Sequence, residues 1–341
     1  MKKMLRTMLL VITASILAIG GVYSGESCAA DGAFKKASLR LSCDGMSDTS
    51  VDMHLAKRFA ELVSEKTGGA VTIDIFGSNQ LSSGSQQRAI EMLTMGTTEF
   101  GIYSNAITGG VLHEPLLAAS IPFAFRDYQH IIDVYTATAG AYVNKSLKPS
   151  GLTYMGTIYN GFRNFSNSKR PIITPDDMKG LKFRVMQSEM YLDIFRALGA
   201  DPVGMSVSEV FTSLQQGTID GQDNGLTRSN DTRMFEVQKY YSVVNYSYDS
   251  FMLLANSKKL SALPQNLQDV LQQSADQACA ETRKLFLEKE NQYIQVFKDR
   301  GVAVAELTEE QKQLFRDALQ PVIKKYIEKY GVEACTAFGI K

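Results

Sequence analysis

A search of this 341-residue chain for groups that make or break bonds finds few. There is no G-x-S-x-G elbow, no P-loop and no G-x-G-x-x-G turn, so neither a marked nucleophile nor a phosphate cradle is present. His54, His113 and His130 are the only histidines. None has a second histidine or cysteine at ligand spacing, so no metal and no cofactor is expected. His54 falls in an amphipathic helical pattern and reads as a surface residue rather than a base. Acidic residues are plentiful but scattered, which leaves a carboxylate pair, and with it a hydrolase, open. The chemistry the side chains do offer is anion binding. Arg184 lies on the non-apolar face of a strand pattern whose other face is Leu181, Phe183 and Val185. Arg163 stands in Gly161-Phe162-Arg163-Asn164, which reads as a loop. A guanidinium presents parallel N–H donors to both oxygens of a carboxylate, whereas lysine offers charge without the fork. Either arginine could equally be a solvated surface charge, and spacing alone does not select them.

The elements that must position these residues follow from periodicity. Leu39, Leu41 and Cys43 alternate as a first strand, and Val71, Ile73 and Ile75 as a second. Between them Met53, Ala56, Phe59, Ala60 and Val63 fall at helical spacing, stopped at Thr67-Gly68-Gly69. Ala89 to Met95 predicts a helix ending at Gly96, Phe100–Tyr103 a short strand, and Asp127 to Leu147 a further helix. Leu152 to Ile158 predicts another strand. Strands separated by helices indicate parallel βαβ units. Thr174-Pro175 opens a short helix ended by Gly180, and Ser206 with Glu209 forms a capping box for a helix ending at Gly217. Asp220 to Asn224 reads as a polar turn, and Phe251 to Leu254 as a strand returning to the first unit. From Pro264 to Arg300 no proline or glycine intervenes. A continuous helix there would run about 55 Å and could brace two domains; two helices with an unmarked break would fit equally. Thr308 and Gln311 cap a last helix to about Tyr330.

The length fits two domains or one large α/β domain, and 44% hydrophobic with 21% charged residues is ordinary globular composition. Lysine plus arginine and aspartate plus glutamate both number 36. Removing the first thirty residues, with Lys2, Lys3, Arg6 and Glu26, leaves two more acidic than basic side chains. Nucleic acid is therefore not an expected partner. Those thirty residues have a basic start, an uncharged run from Met8 to Val22, and Cys28-Ala29-Ala30 before Asp31. This is the pattern of a cleaved signal peptide; the run is shorter than the ~20 residues that span a bilayer. A soluble protein outside the cytoplasm is expected. Cys43, Cys279 and Cys335 then remain, an odd number. Cys279 and Cys335 could pair, or all three could be small buried apolar residues.

From residue 161 to 254 the chain resembles the solute-binding proteins of TRAP transporters, the DctP family. Gly161 to Asn167 resembles a G-x-R-x-x-x-N stretch, and Thr174 to Val185 a TPxDLKGLKxRV signature. Ser208 to Gly217 resembles SEVYxALQxG, Asp220 to Asn224 resembles DGQEN, and Phe235 to Tyr240 resembles FYEVQKY. Upstream, Ile121-Pro122-Phe123 and Asn79-Gln80-Leu81 resemble LPF and GQLG. The likeness covers the whole mature chain in order. It implies an α/β, two-domain periplasmic-binding-protein-like fold with mixed sheets, crossover strands and a long helix along both domains. The implied domains are 31–158 plus about 246–285, and 159–245 plus about 286–341, with 1–30 cleaved. The implied function is binding a small organic acid in the periplasm of a Gram-negative bacterium, as a monomer, for delivery to the small and large membrane subunits of a transporter. No catalytic residue is implied. By the resemblance Arg184 holds the substrate carboxylate, with Arg163 and Asn224 beside it.

Tyr103, Ser104 and Tyr248 are further candidates for the cleft wall, as are Asn105, Tyr159 and Tyr191. Asp249 departs from the family's Tyr-Ser-Pro-Phe at Tyr248-Asp249-Ser250-Phe251. It either reads an ammonium or hydroxyl of the ligand or is a hinge aspartate bonded to backbone. Gly225 replaces a common proline after DGQEN, implying a looser turn, and Met186 replaces another after the RV. Two readings from other classes share these features: a receptor presenting its ligand to a membrane signalling protein, and an exported enzyme on the same scaffold.

Overall fold

The computed structural model describes residues 34–340; the expected signal peptide lies outside the described residues. The apolar alternations do form strands, β1 (Ala37–Cys43) and β2 (Val71–Phe76), flanking the helix Val51–Lys66. That helix buries Leu55, Phe59, Leu62 and Val63, the stripe a helical period places on one face. Next come β3 (Phe100–Ser104), β4 (Leu152–Asn167), β5 (Lys182–Val185), β6 (Asp201–Gly204) and β7 (Gly221–Asn224). The chain closes with β8 (Tyr240–Asn256) and β9 (Ala303–Glu306). All join one sheet of order β2-β1-β3-β8-β4-β7-β5-β6, with β9 on β8. Pairing is parallel within β2-β1-β3 and within β7-β5-β6, and antiparallel through the central β8 and β4. Two long crossover strands thus weld two parallel βα halves, and one hydrophobic core runs through both.

The strand expected at Phe251–Leu254 begins at Tyr240, and β6 and β9 were not expected; two segments beside the cavity differ for one reason. The strand expected to stop near Ile158 continues to Asn167, so Arg163 lies inside a strand and not in a loop. The polar run 220–224 is not a turn; Gly221–Asn224 is a fully buried strand. Much of their polar side-chain surface is bonded across the sheet. Gln222 Nε2 donates to Ser166 Oγ (2.9 Å), and Asn164 Oδ1 accepts from the backbone N–H of Val244 and Asn245 (both 2.8 Å). Asn160 and Asn164 sit at register shifts of β4 against β8, where a bulge adds an unpaired residue. Gly161, at φ +104°, makes the first of these bends under the ring of Phe286.

The 35-residue helix Gln265–Asp299 is continuous, which settles the choice between one helix and two. It packs on the helix Val51–Lys66, on β4 and on β9, and so braces both halves. The 127–147 run is one helical stretch with a widened π turn at Tyr135–Ala139. The last helix, Glu309–Ala337, passes Tyr330 and is broken at Gly331. Cys43, Cys279 and Cys335 are all free and buried, so the expected alternative of a Cys279–Cys335 pair is not realised. Among the described residues no helix is long and apolar enough to cross a membrane.

The brace is tied to β4 by a buried acid. Glu290 Oε1 accepts from the Tyr128 hydroxyl (2.6 Å), whose oxygen accepts from the Phe162 N–H (3.4 Å). Burial raises the Glu290 carboxyl to about 7. The folded value lies above the unfolded one, so the stability of the neutral acid is full below the unfolded value and is lost as pH rises through 7. Glu290→Gln keeps an acceptor for Tyr128 and cannot ionise. It is expected to raise Tm by several degrees at pH 8 and to leave Tm unchanged near pH 4.5. Thermal melts at both pH values check this, and equal differences at both would refute it.

Candidate functional site

The cavity with the best claim to function opens at the carboxyl ends of β1, β3, β5 and β7, where open α/β sheets bind ligands. Its volume is about 70 Å3. A buried water needs ~10–15 Å3 on that measure, so the space suits a small molecule.

Arg184 is the next-to-last residue of β5 and is 3% exposed. Its Nε and Nη2 both donate to the Met205 carbonyl (3.0 and 2.9 Å). Three arginines are buried among the described residues, and Arg184 is the one with no carboxylate within 4 Å. Burial pushes its guanidinium down to about 10, against the pull of Asp223 and with the repulsion of Arg163. Arg163 enters from β4 and is spent inside the protein. Its Nε donates to Asp223 Oδ2 (2.5 Å), its Nη2 to the Asp223 carbonyl (2.7 Å) and its Nη1 to Asn224 Oδ1 (3.4 Å). The Tyr246 hydroxyl donates to the same Asp223 oxygen (2.6 Å). Burial opposes the charge of Arg163, but Asp223 outweighs it and holds the group well above its ordinary value. Asn224 ends β7, and its side chain lines the cavity between Arg163 and the mouth of the next helix.

Ser104, at the end of β3, also lines the cavity, and its Oγ donates to Asp249 (2.9 Å). Asp249 further accepts from Asn160 Nδ2 (2.8 Å) and the Ala106 N–H (3.3 Å). It faces the cavity, but its oxygens are engaged by three protein donors, one of them backbone, from three separate elements. Tyr103 and Tyr248 do not line the cavity. Each precedes a lining residue on its strand, and alternation turns it to the other face. The Tyr103 hydroxyl donates to the Ala89 carbonyl (3.3 Å), and Tyr248 packs among Phe125, Tyr159 and Phe162. Asn105 donates to the Leu116 carbonyl, Tyr191 underlies Arg163, and Tyr159 packs against Phe286; none is a wall residue.

Sequence reasoning missed the neutral lining, such as Gln86 and Ser206, and two charged lining residues, Arg228 and Asp44. Arg228, on the six-residue helix Leu226–Asp231, is 3% exposed. Its Nη2 lies 3.5 Å from both Asp44 Oδ2 and Asp52 Oδ1, and its guanidinium carbon 5.0 Å from the Phe251 ring centre. Burial opposes its charge, but Asp52 and Asp44 hold it above its ordinary value. Asp44, just past β1, is raised to about 6 by burial, against the pull of Arg228. Neither residue belongs to a periodic pattern; a charge in a helix too short to show a stripe carries no signal. Gly225, before that helix, is not a loose turn. A Cβ there would lie 2.6 Å from the Asn160 carbonyl, so the helix start is pressed against β4.

A family model for bacterial extracellular solute-binding protein, family 7 (DctP), matches residues 44–329. The 2,3-diketo-L-gulonate-binding periplasmic protein YiaO of Escherichia coli is 33% identical over 77% of this chain and 79% of its own length. The sugar acid binding protein DctPAm of Advenella mimigardefordensis, solved with galactonate, superposes with a TM-score of 0.85 at 30% identity, over 89% of this chain and 97% of that one. A TRAP periplasmic solute binding protein of Shewanella oneidensis, solved with succinate, gives 0.83 at 27% identity, over 89% and 98%.

The Arg163–Asp223 pair yields a prediction of its own. Removing one partner of a buried pair strands the other charge at a cost of about 3–5 kcal/mol. Asp223→Asn is expected to lose stability of that order in urea unfolding, because Arg163 keeps its charge. An Arg163→Met, Asp223→Leu double variant is expected to recover much of the loss. A double variant no more stable than Asp223→Asn would contradict the account.

Proposed function

Because this chain belongs to the bacterial extracellular solute-binding proteins of family 7, we propose that its cavity closes on a small organic acid whose carboxylate is held by Arg184. The protein is a carboxylate-binding substrate receptor of the TRAP type, in a family of periplasmic binding proteins that work with membrane permease subunits. One observation carries the assignment of the anchor: Arg184 is buried without a counter-charge, whereas Arg163 and Arg228 have theirs. A desolvated guanidinium is costly until an anion joins it. With the Nε–Nη2 edge held by the Met205 carbonyl, the Nη1–Nη2 edge keeps two parallel N–H donors for a carboxylate. Arg163 and Asn224 then act beside it, Arg163 chiefly as a positioning residue for β7.

Two lobes move about the crossover strands in this reading: 31–158 with about 246–285, and 159–245 with about 286–341. Arg184, Arg163 and Asn224 come from one, and Ser104 and Asp249 from the other. A ligand touching both favours the closed state by its differential affinity for that state. Residues 1–30 act as the export signal, and the closed monomer presents its ligand to a small and a large membrane subunit.

Thermal shift with a panel of organic acids tests the reading, since a ligand at 100 times its Kd stabilises by about 2.7 kcal/mol. Arg184→Ala is expected to abolish every acid-induced shift, and Arg184→Lys to weaken binding at least 100-fold. Micromolar affinity retained in Arg184→Ala, or shifts by neutral sugars alone, would sink the assignment.

A further inference from the structure

The second guanidinium in the cavity is in the opposite electrostatic state to Arg184. Arg228 already has two carboxylates, Asp44 and Asp52, within 3.5 Å, and Asp52 is wholly buried. Its charge is met, but its hydrogen bonds are not. Neither Nη1 nor Nη2 has a hydrogen-bond partner, although both are shut off from solvent. Arg228 therefore lacks a neutral acceptor, while Arg184 lacks an anion. Beside Arg228, Asp44 also lines the cavity; its Oδ1 accepts from Asn79 Nδ2 (2.6 Å), and its Oδ2 is the oxygen turned to Arg228.

We propose that the site selects a monocarboxylic hydroxy acid, with the carboxylate on Arg184 and a hydroxyl bridging Arg228 and Asp44, and that it discriminates against dicarboxylates. This rests on the reading of Arg184 as the carboxylate anchor. A hydroxyl oxygen accepts from Arg228 while its O–H donates to Asp44, so one group answers both residues. A second ligand carboxylate placed there would accept from Arg228 too, but it would stand against two aspartates in a poorly solvated space. Like charges at that separation repel far more than in water. Most of the remaining polar lining is neutral: Ser85, Gln86, Gln87, Gln187 and Ser206 offer hydroxyl and amide groups and no further cation. Such groups can pair with hydroxyls along a short chain. Phe251, stacked on Arg228, supplies an apolar floor for its C–H faces.

Calorimetric titration of the mature protein with three four-carbon acids separates the factors: D-erythronate, succinate and butyrate. D-erythronate is expected to bind at least 100-fold more tightly than succinate and at least 10-fold more tightly than butyrate. Asp44→Asn keeps an acceptor for Asn79 and removes the charge. It is expected to narrow the erythronate-to-succinate ratio at least 10-fold by improving succinate. Arg228→Gln is expected to weaken D-erythronate at least 10-fold more than it weakens butyrate, and equal losses for both acids in a folded variant would overturn the inference; melting curves report whether each variant is folded. Succinate equal to or tighter than D-erythronate in the unaltered protein would overturn the inference. So would a ratio unmoved in a folded Asp44→Asn protein. If succinate wins while Arg184→Ala still abolishes binding, the hydroxy-acid inference fails and the anchor stands. If binding survives Arg184→Ala, the anchor itself fails.

Discussion

Bringing three arginine charges into one poorly solvated space is the constraint around which this protein is built. Each guanidinium there costs several kcal/mol of lost hydration unless something replaces the water. The chain answers differently for each. Arg163 receives Asp223 and the carbonyl beside it. Arg228 receives Asp44 and Asp52 at longer range. Arg184 receives only a carbonyl dipole, from Met205. A carbonyl fixes the orientation of a guanidinium without neutralising it. The single unmet charge is thereby aimed and held, which is the pre-organisation the proposed anchor requires. Pairing Arg163 and Arg228 matters for the same reason: unpaired, they would add to the repulsion that already lowers Arg184.

The sheet's architecture follows from delivering these groups to one place. Arg184 and Asn224 come from the parallel half β7-β5-β6, and Asp44 and Ser104 from β2-β1-β3. Neither half reaches the other through its own strands. The central pair β4 and β8 spans both, and at the cavity it departs from regular pairing. The bulges at Asn160 and Asn164 bend β4 where Arg163 must project. The Asn164 amide replaces ladder bonds that bending breaks, accepting from two backbone N–H groups of β8, while Asn160 Nδ2 donates to the Asp249 carboxylate. At Asn164 the strand pair can flex without orphaning those two backbone donors. The long helix Gln265–Asp299 limits that freedom from behind, through Phe286 and Glu290 against β4.

Legibility in the sequence divides along the same line. Elements whose stability is local were readable. Leu39, Leu41 and Cys43 announce β1 by alternation, and the capping boxes at Ser206 and Thr308 mark helix starts that the structure contains. So does the absence of breakers from 265 to 299. Elements whose stability is relational were not. Gly221–Asn224 has no apolar residue, yet it is buried, because Arg163, Ser166 and Tyr246 supply its partners from far along the chain. A polar strand read alone is indistinguishable from a turn. Arg163 looked like a loop residue for the same cause. At the site, family-like motifs pointed to Arg184, Arg163 and Asn224, while Arg228 and Asp44 became visible only when folding brought two helix starts and a strand end together.

Gly225 shows why such a distant assembly is nonetheless tight. The residue uses ordinary dihedral angles, so glycine is not needed there for its conformational freedom. It is needed because the Asn160 carbonyl occupies the space of a side chain. That contact joins the bulge of β4 to the residue that caps the helix carrying Arg228. The bulge also holds Asp249, which holds Ser104 at the end of β3. One backbone approach therefore links four lining positions from both halves of the sheet. Any shift of β4 against β8 moves Arg228 and Ser104 relative to Arg184. In the proposed reading, an occupant of the cavity that fixes these groups together also fixes the crossover strands, and so favours the closed state of the whole molecule.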